Sequence, residues 1–182
     1  MPFAAVGVEH STAPLAVREA VSPDSELLSG ARESFGLRPT DEVVVVTTCN
    51  RTEIYVHSDD TDDVVAGVTV WMAGRSASAQ PYIRVWPELD AVEHLFRVAS
   101  GLESQIPGED QILSQVADAL ADAQRLGTTG PNTHALFRSA VSCGRRARQD
   151  TALGRVERSI GTRSILRPER PKSAPRAARP GH

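Results

Sequence analysis

Thiol, hydroxyl, amide and guanidinium groups meet most densely at Thr47-Thr48-Cys49-Asn50-Arg51-Thr52-Glu53, a polar run placed where the buried-strand pattern Val43 to Val46 ends. A cysteine reacts as its thiolate, and a neighbouring guanidinium together with hydroxyl or amide donors favours that form. Arg51 and Asn50 are residues of those types. Spacing alone allows a plainer reading, in which Cys49 is a small hydrophobe closing the strand and Asn50 and Arg51 are turn residues. A second cluster runs from Gly101 through Leu102-Glu103-Ser104-Gln105-Ile106-Pro107-Gly108 to Glu109-Asp110-Gln111. It is a Gly-bounded loop entering a helix on which Gln111 and Gln115 are i, i+4 neighbours. Backbone donors at a helix start and these polar side chains suit a substrate amine and carboxylate, or else Ser104 or Glu109 simply caps the helix. The third candidate is His94, inside the helical stretch His-Leu-Phe-Arg-Val, where a catalytic role competes with ordinary packing.

Other chemistries lack their residues. The two cysteines, Cys49 and Cys143, lie far apart and the five histidines form no HxxxH pair, so no metal site is expected. None of the thirteen glycines stands two positions from another, so the Gly-x-Gly turn of dinucleotide sites is missing. Aromatic residues are 4% of the chain, which argues against a single-strand binder that stacks bases on aromatic platforms, and the net charge of −3 argues against a general nucleic-acid binder. With 40% hydrophobic residues the chain can bury a core, while its longest aliphatic strand-like run is far short of a membrane span. No apolar signal segment follows Met1, and the expected location is cytoplasmic.

The elements that must position these clusters alternate between strand and helix. Phe3 to Glu9 reads as a strand, Pro14 suits the first turn of a short helix ending near Val21, and Ser22-Pro23-Asp24 starts a second helix closed by Gly36 and Pro39. The run Val43-Val44-Val45-Val46 predicts a strand buried on both faces, and Glu53 to His57 resumes an extended pattern. The Cys49 cluster then falls at a turn between two central strands. A helix from about Asp62 to Ala73, a strand from Pro81 to Val85 and a helix from Glu88 to Ser100 follow. This order predicts an α+β fold, a split βαβ sandwich with helices packed on one side of a sheet. Beyond it, Ile112, Val116, Ala119, Leu120 and Ala123, then Leu136, Phe137, Ala140, Val141 and Gly144, recur at helical spacing around a break at Gly127 to Pro131. That is a helical hairpin.

Four ordered motifs together resemble one family. They are Gly7-Val8-Glu9-His10-Ser11-Thr12-Ala13-Pro14 with Arg18-Glu19; Thr48-Cys49-Asn50-Arg51-Thr52-Glu53-Ile54-Tyr55; His94-Leu95-Phe96-Arg97-Val98-Ala99-Ser100-Gly101-Leu102-Glu103-Ser104; and Gly108-Glu109-Asp110-Gln111-Ile112-Leu113-Ser114-Gln115. Across residues 3 to 162 the chain is similar to the N-terminal catalytic domain of glutamyl-tRNA reductase. The resemblance implies a ferredoxin-like fold over 1–101 and a helical extension over 102–162 that completes the substrate pocket. It also implies a reaction. A cysteine matching Cys49 takes the glutamyl group from glutamyl-tRNA(Glu) as a thioester, and hydride from NADPH releases glutamate-1-semialdehyde for tetrapyrrole (porphyrin) synthesis. Thr48, Asn50 and Arg51 would bind the glutamyl group, with Ser104, Glu109, Asp110, Gln111 and Gln115 completing the pocket. A carboxylate on Arg51 and an ammonium on Glu109 or Asp110 is the pairing that charge suggests. His94 would handle a proton or assist the leaving group, and glutamate-1-semialdehyde aminotransferase is a conceivable partner.

Two departures from the family stand out. Gln105-Ile106-Pro107 replaces an apolar run beside the pocket, and Pro107 restricts that loop. The tail from Arg163 carries six basic residues against Glu169, a charge of +5 that leaves −8 on residues 1–162, and contains four prolines. Such a tail, 163–182, is expected to be disordered. It stands where the family's NADPH-binding domain would begin, and no cofactor site is visible in the sequence. The expectation is a truncated or frameshifted chain that retains the acyl-transfer half of the enzyme. The alternative is a noncatalytic module that binds glutamyl-tRNA or a partner protein.

Overall fold

A computed structural model of the chain describes residues 2–24, 28–106, 109–151 and 153, excluding the side chain of Asp110. Strands β1 (Phe3–Glu9), β2 (Glu42–Thr47), β3 (Arg51–His57) and β4 (Arg84–Pro87) form a sheet in the order β2-β3-β1-β4, with every neighbouring pair antiparallel. β1 and β2 thus run parallel with β3 inserted between them, the split βαβ arrangement of a ferredoxin-like fold. The α+β expectation holds. The expected disorder of 163–182 and the restriction attributed to Pro107 both lie outside the described residues.

Six helices interleaved with and following the strands lie wholly within the described residues: α1 (Leu15–Val21), the single turn α2 (Ala31–Ser34), α3 (Thr61–Arg75), α4 (Glu88–Ser100), α5 (Asp110–Leu126) and α6 (Pro131–Asp150). They cover both faces of the sheet, which corrects the one-sided sandwich expected from the sequence. Every residue of β1 is buried. Its alternate side chains, Ala4 and Val6, join Val43, Ile54 and Val56 under α2 and α3, through Ala31, Val64, Val68 and Met72. On the other face Ala5, Val44, Val46, Tyr55 and Trp86 pack under Leu95 of α4, Val116 of α5 and Phe137 of α6. The physical reason is the period of two: a strand buried at every position needs a cover on each side. The helical hairpin is that second cover and shares one core with the sheet.

Two further placements differ from expectation. Pro81, which lacks an amide donor, sits inside a 3₁₀ turn over Ala77–Tyr82, so the last strand starts three residues later than predicted. And β2 is an edge strand rather than a central one. Its outer side is met by the turn after α5, where the Val43 amide donates to the Thr128 carbonyl at 2.7 Å. The Glu42 carboxylate then reaches into the first turn of α6. It accepts from the Thr133 amide (2.6 Å) and hydroxyl (2.8 Å) and the Asn132 side chain (2.9 Å), satisfying donors that a helix start leaves free. Gly130 makes this possible, because a Cβ there would lie 2.6 Å from the Glu42 carboxylate.

Candidate active site

Cys49 sits at the tip of the β2–β3 hairpin. Thr47 pairs with Thr52, the Thr48 amide donates to the Arg51 carbonyl at 2.8 Å, and Cys49 and Asn50 are left to make the turn. The Thr48 hydroxyl oxygen accepts from the amides of Asn50 (3.0 Å) and Arg51 (3.2 Å), so a side chain closes the turn. From outside, the Asn50 carbonyl accepts from the His10 amide at 2.8 Å, and the Cys49 carbonyl accepts from Arg18 Nε at 3.2 Å. Five hydrogen bonds thus hold a loop whose thiol is exposed and unbridged. The reading of Cys49 as a buried strand terminus does not hold.

Beneath the loop lies a charged core. Strand alternation puts Arg51, Glu53 and Tyr55 on one face of β3, and all three are buried. Arg51 Nη1 donates to Glu53 Oε1 at 2.9 Å, and Nη2 donates to the Glu103 carbonyl. Its Nε is buried and has no hydrogen-bond partner among the described residues. Glu53 also accepts from the Tyr55 hydroxyl on Oε2 at 2.7 Å and lies 2.9 Å from His94 Nε2 through Oε1. Burial alone would raise the Glu53 pKa, but the His94 hydrogen bond and the Arg51 charge outweigh it and hold the carboxylate below its ordinary range. An ionised Glu53 makes His94 Nε2 the donor. Burial, with the Glu53 charge next, pushes the Tyr55 hydroxyl well above its usual pKa, so it stays a donor. His94 is held from its other side by Trp86, stacked at 4.0 Å between ring centroids. Opposite Glu53 on β1 stands Gly7, where a Cβ would lie 2.8 Å from Glu53 Cγ. The glycine is what admits the carboxylate.

The helical hairpin supplies the other wall. Gly101, with φ of +78°, ends α4, and the Leu102 amide donates back to the Arg97 carbonyl at 2.9 Å. That reversal carries Glu103 and Ser104 towards Arg51, and the loop then enters α5, with Glu109 at the N-cap position. Thr48, Cys49, Asn50 and Arg51 from the hairpin and Ser104, Glu109, Gln111 and Gln115 from the loop and α5 line one small cleft. Eight of the ten residues singled out from the sequence therefore converge there. Asp110 belongs to the same turn, though its side chain lies outside the described residues. His94 does not open into this cleft. It lines a neighbouring one with Glu9, Arg84 and Glu103, across the Arg51–Glu53 pair from the thiol.

Several contributors escaped the sequence reading. Glu53 was legible as part of the polar run but not as the buried hub that joins Arg51 to His94; the alternation 51, 53, 55 on a resumed strand was the available signal. Arg18 and His10 act through anchors to backbone carbonyls, which no spacing rule announces. Burial first, and Arg51 next, lowers the His10 pKa, so its ring favours the neutral form. Glu9, Glu53 and His94 bring ligand-type atoms within 4.8 Å of one another. Their oxygens are already engaged by Arg84 on Glu9 and by Arg51 and Tyr55 on Glu53, so a cation there would have to displace guanidinium groups.

Comparison with known proteins gives one consistent result. Residues 6–151 match the family described as Glutamyl-tRNAGlu reductase, N-terminal domain. The glutamyl-tRNA reductase of Marinomonas sp. (strain MWYL1) is 38% identical over 169 residues, covering 91% of this chain and 40% of the relative. That of Geobacillus kaustophilus (strain HTA426) is 37% identical over 159 residues, covering 85% and 35%. Among solved structures, glutamyl-tRNA reductase from Methanopyrus kandleri superposes with a TM-score of 0.68 at 34% identity, over 82% of this chain and 35% of that one. The chain thus spans about two fifths of the length of the relatives it matches.

Proposed function

The chain belongs to the glutamyl-tRNA reductase family, and from that premise we propose that it performs the acyl-transfer step on glutamyl-tRNA, with Cys49 as nucleophile. The observation that carries the reading is the convergence of hairpin and α5 residues on one cleft around an exposed thiol. Attack by Cys49 Sγ forms a carbon–sulfur bond at the ester carbonyl carbon. Collapse of the tetrahedral adduct breaks the carbon–oxygen bond to the ribose. The thiol proton ends on the departing ribose hydroxyl, and a glutamyl thioester remains. An ester of this kind needs little further activation, which suits a loop that offers positioning.

Arg51 lines the cleft as a buried cation whose Nε has no hydrogen-bond partner among the described residues, and the side-chain carboxylate of the glutamyl group is its natural complement. Glu109 is placed to meet the ammonium, and the amides of Gln111 and Gln115 line the remaining wall. For His94 the proposal is a positioning role: with Nε2 given to Glu53, it fixes the carboxylate that in turn orients Arg51. In this family hydride from NADPH completes the reduction. The described residues offer that cofactor no Gly-x-Gly turn for its phosphates. The chemistry assigned to these residues therefore ends at the thioester.

Incubation with glutamyl-tRNA should yield a hydroxylamine-sensitive glutamyl adduct on the protein. Cys49→Ser should abolish it and Cys143→Ser should leave it intact. Equal labelling of the two variants would sink the assignment, and no labelling of the wild-type chain would favour a module that holds the charged tRNA without turnover.

A further inference from the structure

The charge of α6 is out of keeping with the rest of the body. Residues 1–162 carry −8, yet α6 holds Arg138, Arg145, Arg146 and Arg148 against the single acid Asp150. Arg148 is structural: it donates to the carbonyls of Ala99 (2.9 Å), Gly144 (3.0 Å) and Glu109 (2.8 Å). The other three are exposed and form no ion pair or hydrogen bond among the described residues. At 100° per residue, Arg138, Ser139, Ser142, Arg145 and Arg146 fall within an arc of about 120°, away from the buried Phe137, Ala140 and Gly144. A groove between α4 and α6 runs along this face, lined by Phe96, Arg138, Ser139, Ser142 and Arg146, with Asp150 as its one acidic side chain.

The location ties the face to the cleft. Arg148 donates to the carbonyl of Glu109, and Glu109 lines the cleft beside Cys49, so the basic face begins within one turn of a residue clamped to the cleft wall. From Arg146 to Arg138 the helix rises about 12 Å, the axial length of three to four phosphates along one strand of a nucleic-acid duplex. Unpaired guanidinium groups at that pitch, interleaved with hydroxyl donors, are what a sugar–phosphate backbone takes. An acidic protein that must accept a polyanion needs a local basic surface of this kind.

We propose that the exposed Arg138–Arg145–Arg146 face of α6 carries the phosphate backbone of the tRNA whose aminoacyl end enters the Cys49 cleft; this rests on the acyl-transfer reading above. The test uses the full chain, glutamyl-tRNA, and the double variant Arg138→Gln/Arg146→Gln, with Arg125→Gln as control because Arg125 is already paired with Asp122 at 2.7 Å. Each phosphate contact contributes about 0.9 to the slope of log K against log salt, so losing two should flatten it by about 1.8. Between 50 and 200 mM salt the wild-type chain should therefore lose about ten-fold more affinity than the double variant, while Arg125→Gln follows the wild type. Acyl transfer from a glutamyl ester of adenosine, which has no stem, should be the same in all three. Cys143 borders the groove and is exposed, so in a Cys49→Ser background tRNA should protect it from alkylation. An unchanged slope in the double variant, or unprotected Cys143 in a saturated complex, would overturn the proposal and mark the face for some other partner. These measurements need no adduct: a chain that binds tRNA through α6 but never labels Cys49 would refute the acyl-transfer reading and leave this surface standing.

Discussion

Glu53→Gln removes one charge from the centre of the molecule and almost no volume. The carboxylate is fully buried and joins three partners: Arg51 at 2.9 Å, His94 at 2.9 Å and Tyr55 at 2.7 Å. A glutamine can still accept from Arg51 and His94 through its oxygen and offer its amide to the Tyr55 oxygen, so the geometry survives and the charge is what is tested. At an effective dielectric of about 20, the Arg51–Glu53 attraction is roughly 6 kcal/mol. Glutamine is easier to desolvate than a carboxylate, which returns part of that, and stranding one member of a buried pair costs about 3–5 kcal/mol. The expected loss at pH 7 is in that range, read from the urea midpoint. The pH dependence has a definite sign. Glu53 titrates below its ordinary value in the folded chain, so its contribution is complete above the unfolded pKa of about 4.3 and is lost as pH falls through the folded pKa. The gap between wild type and Glu53→Gln should close on acidification from pH 5 towards the folded pKa, a window set by that depressed carboxylate. A gap under about 1 kcal/mol at pH 7, or one that widens in acid, would refute the reasoning that Glu53 is an ionised hub.

Gly144→Ala tests the crossing of α4 and α6: its Cβ would fall on the Ala99 carbonyl and 3.0 Å from Leu113 Cδ1, so a loss of about 1–3 kcal/mol is expected, and an unchanged thermal midpoint would show that the helices re-space freely. Glu42→Gln keeps the shape of the α6 cap and removes its charge, for a loss of about 1–2 kcal/mol at pH 7. Burial raises the Glu42 pKa but the Thr133 and Asn132 donors outweigh it, so that loss should fade below pH 4.5, measured by thermal unfolding across pH. Arg51→Lys keeps the charge and loses the fork that reaches the Glu53 carboxylate and the Glu103 carbonyl together, so adduct formation should slow at least about ten-fold in single turnover; equal rates would show that the planar group is not needed.

The sequence alone determined the local chemistry. Its β-branched run placed β2, its polar interruption placed the hairpin, and Gly101 and Gly127 marked the ends of α4 and α5, because each signal is read by neighbours within a few residues. The motifs also named nearly all of the cleft, since Thr48 to Arg51 share one turn and Glu109 to Gln115 share one helix start. What only the tertiary structure decided is how these segments face one another. Glu53 became a hub because the sheet register sets Gly7 opposite it and α4 lowers His94 onto it, a relation spanning 41 residues of chain. His94 faces a different cleft from the thiol for the same reason: a helix fixes the direction of its side chains only once its packing partner, here the sheet face bearing Trp86, is in place. Periodicity tells which residues share a face; the contacts made across the core decide what that face meets.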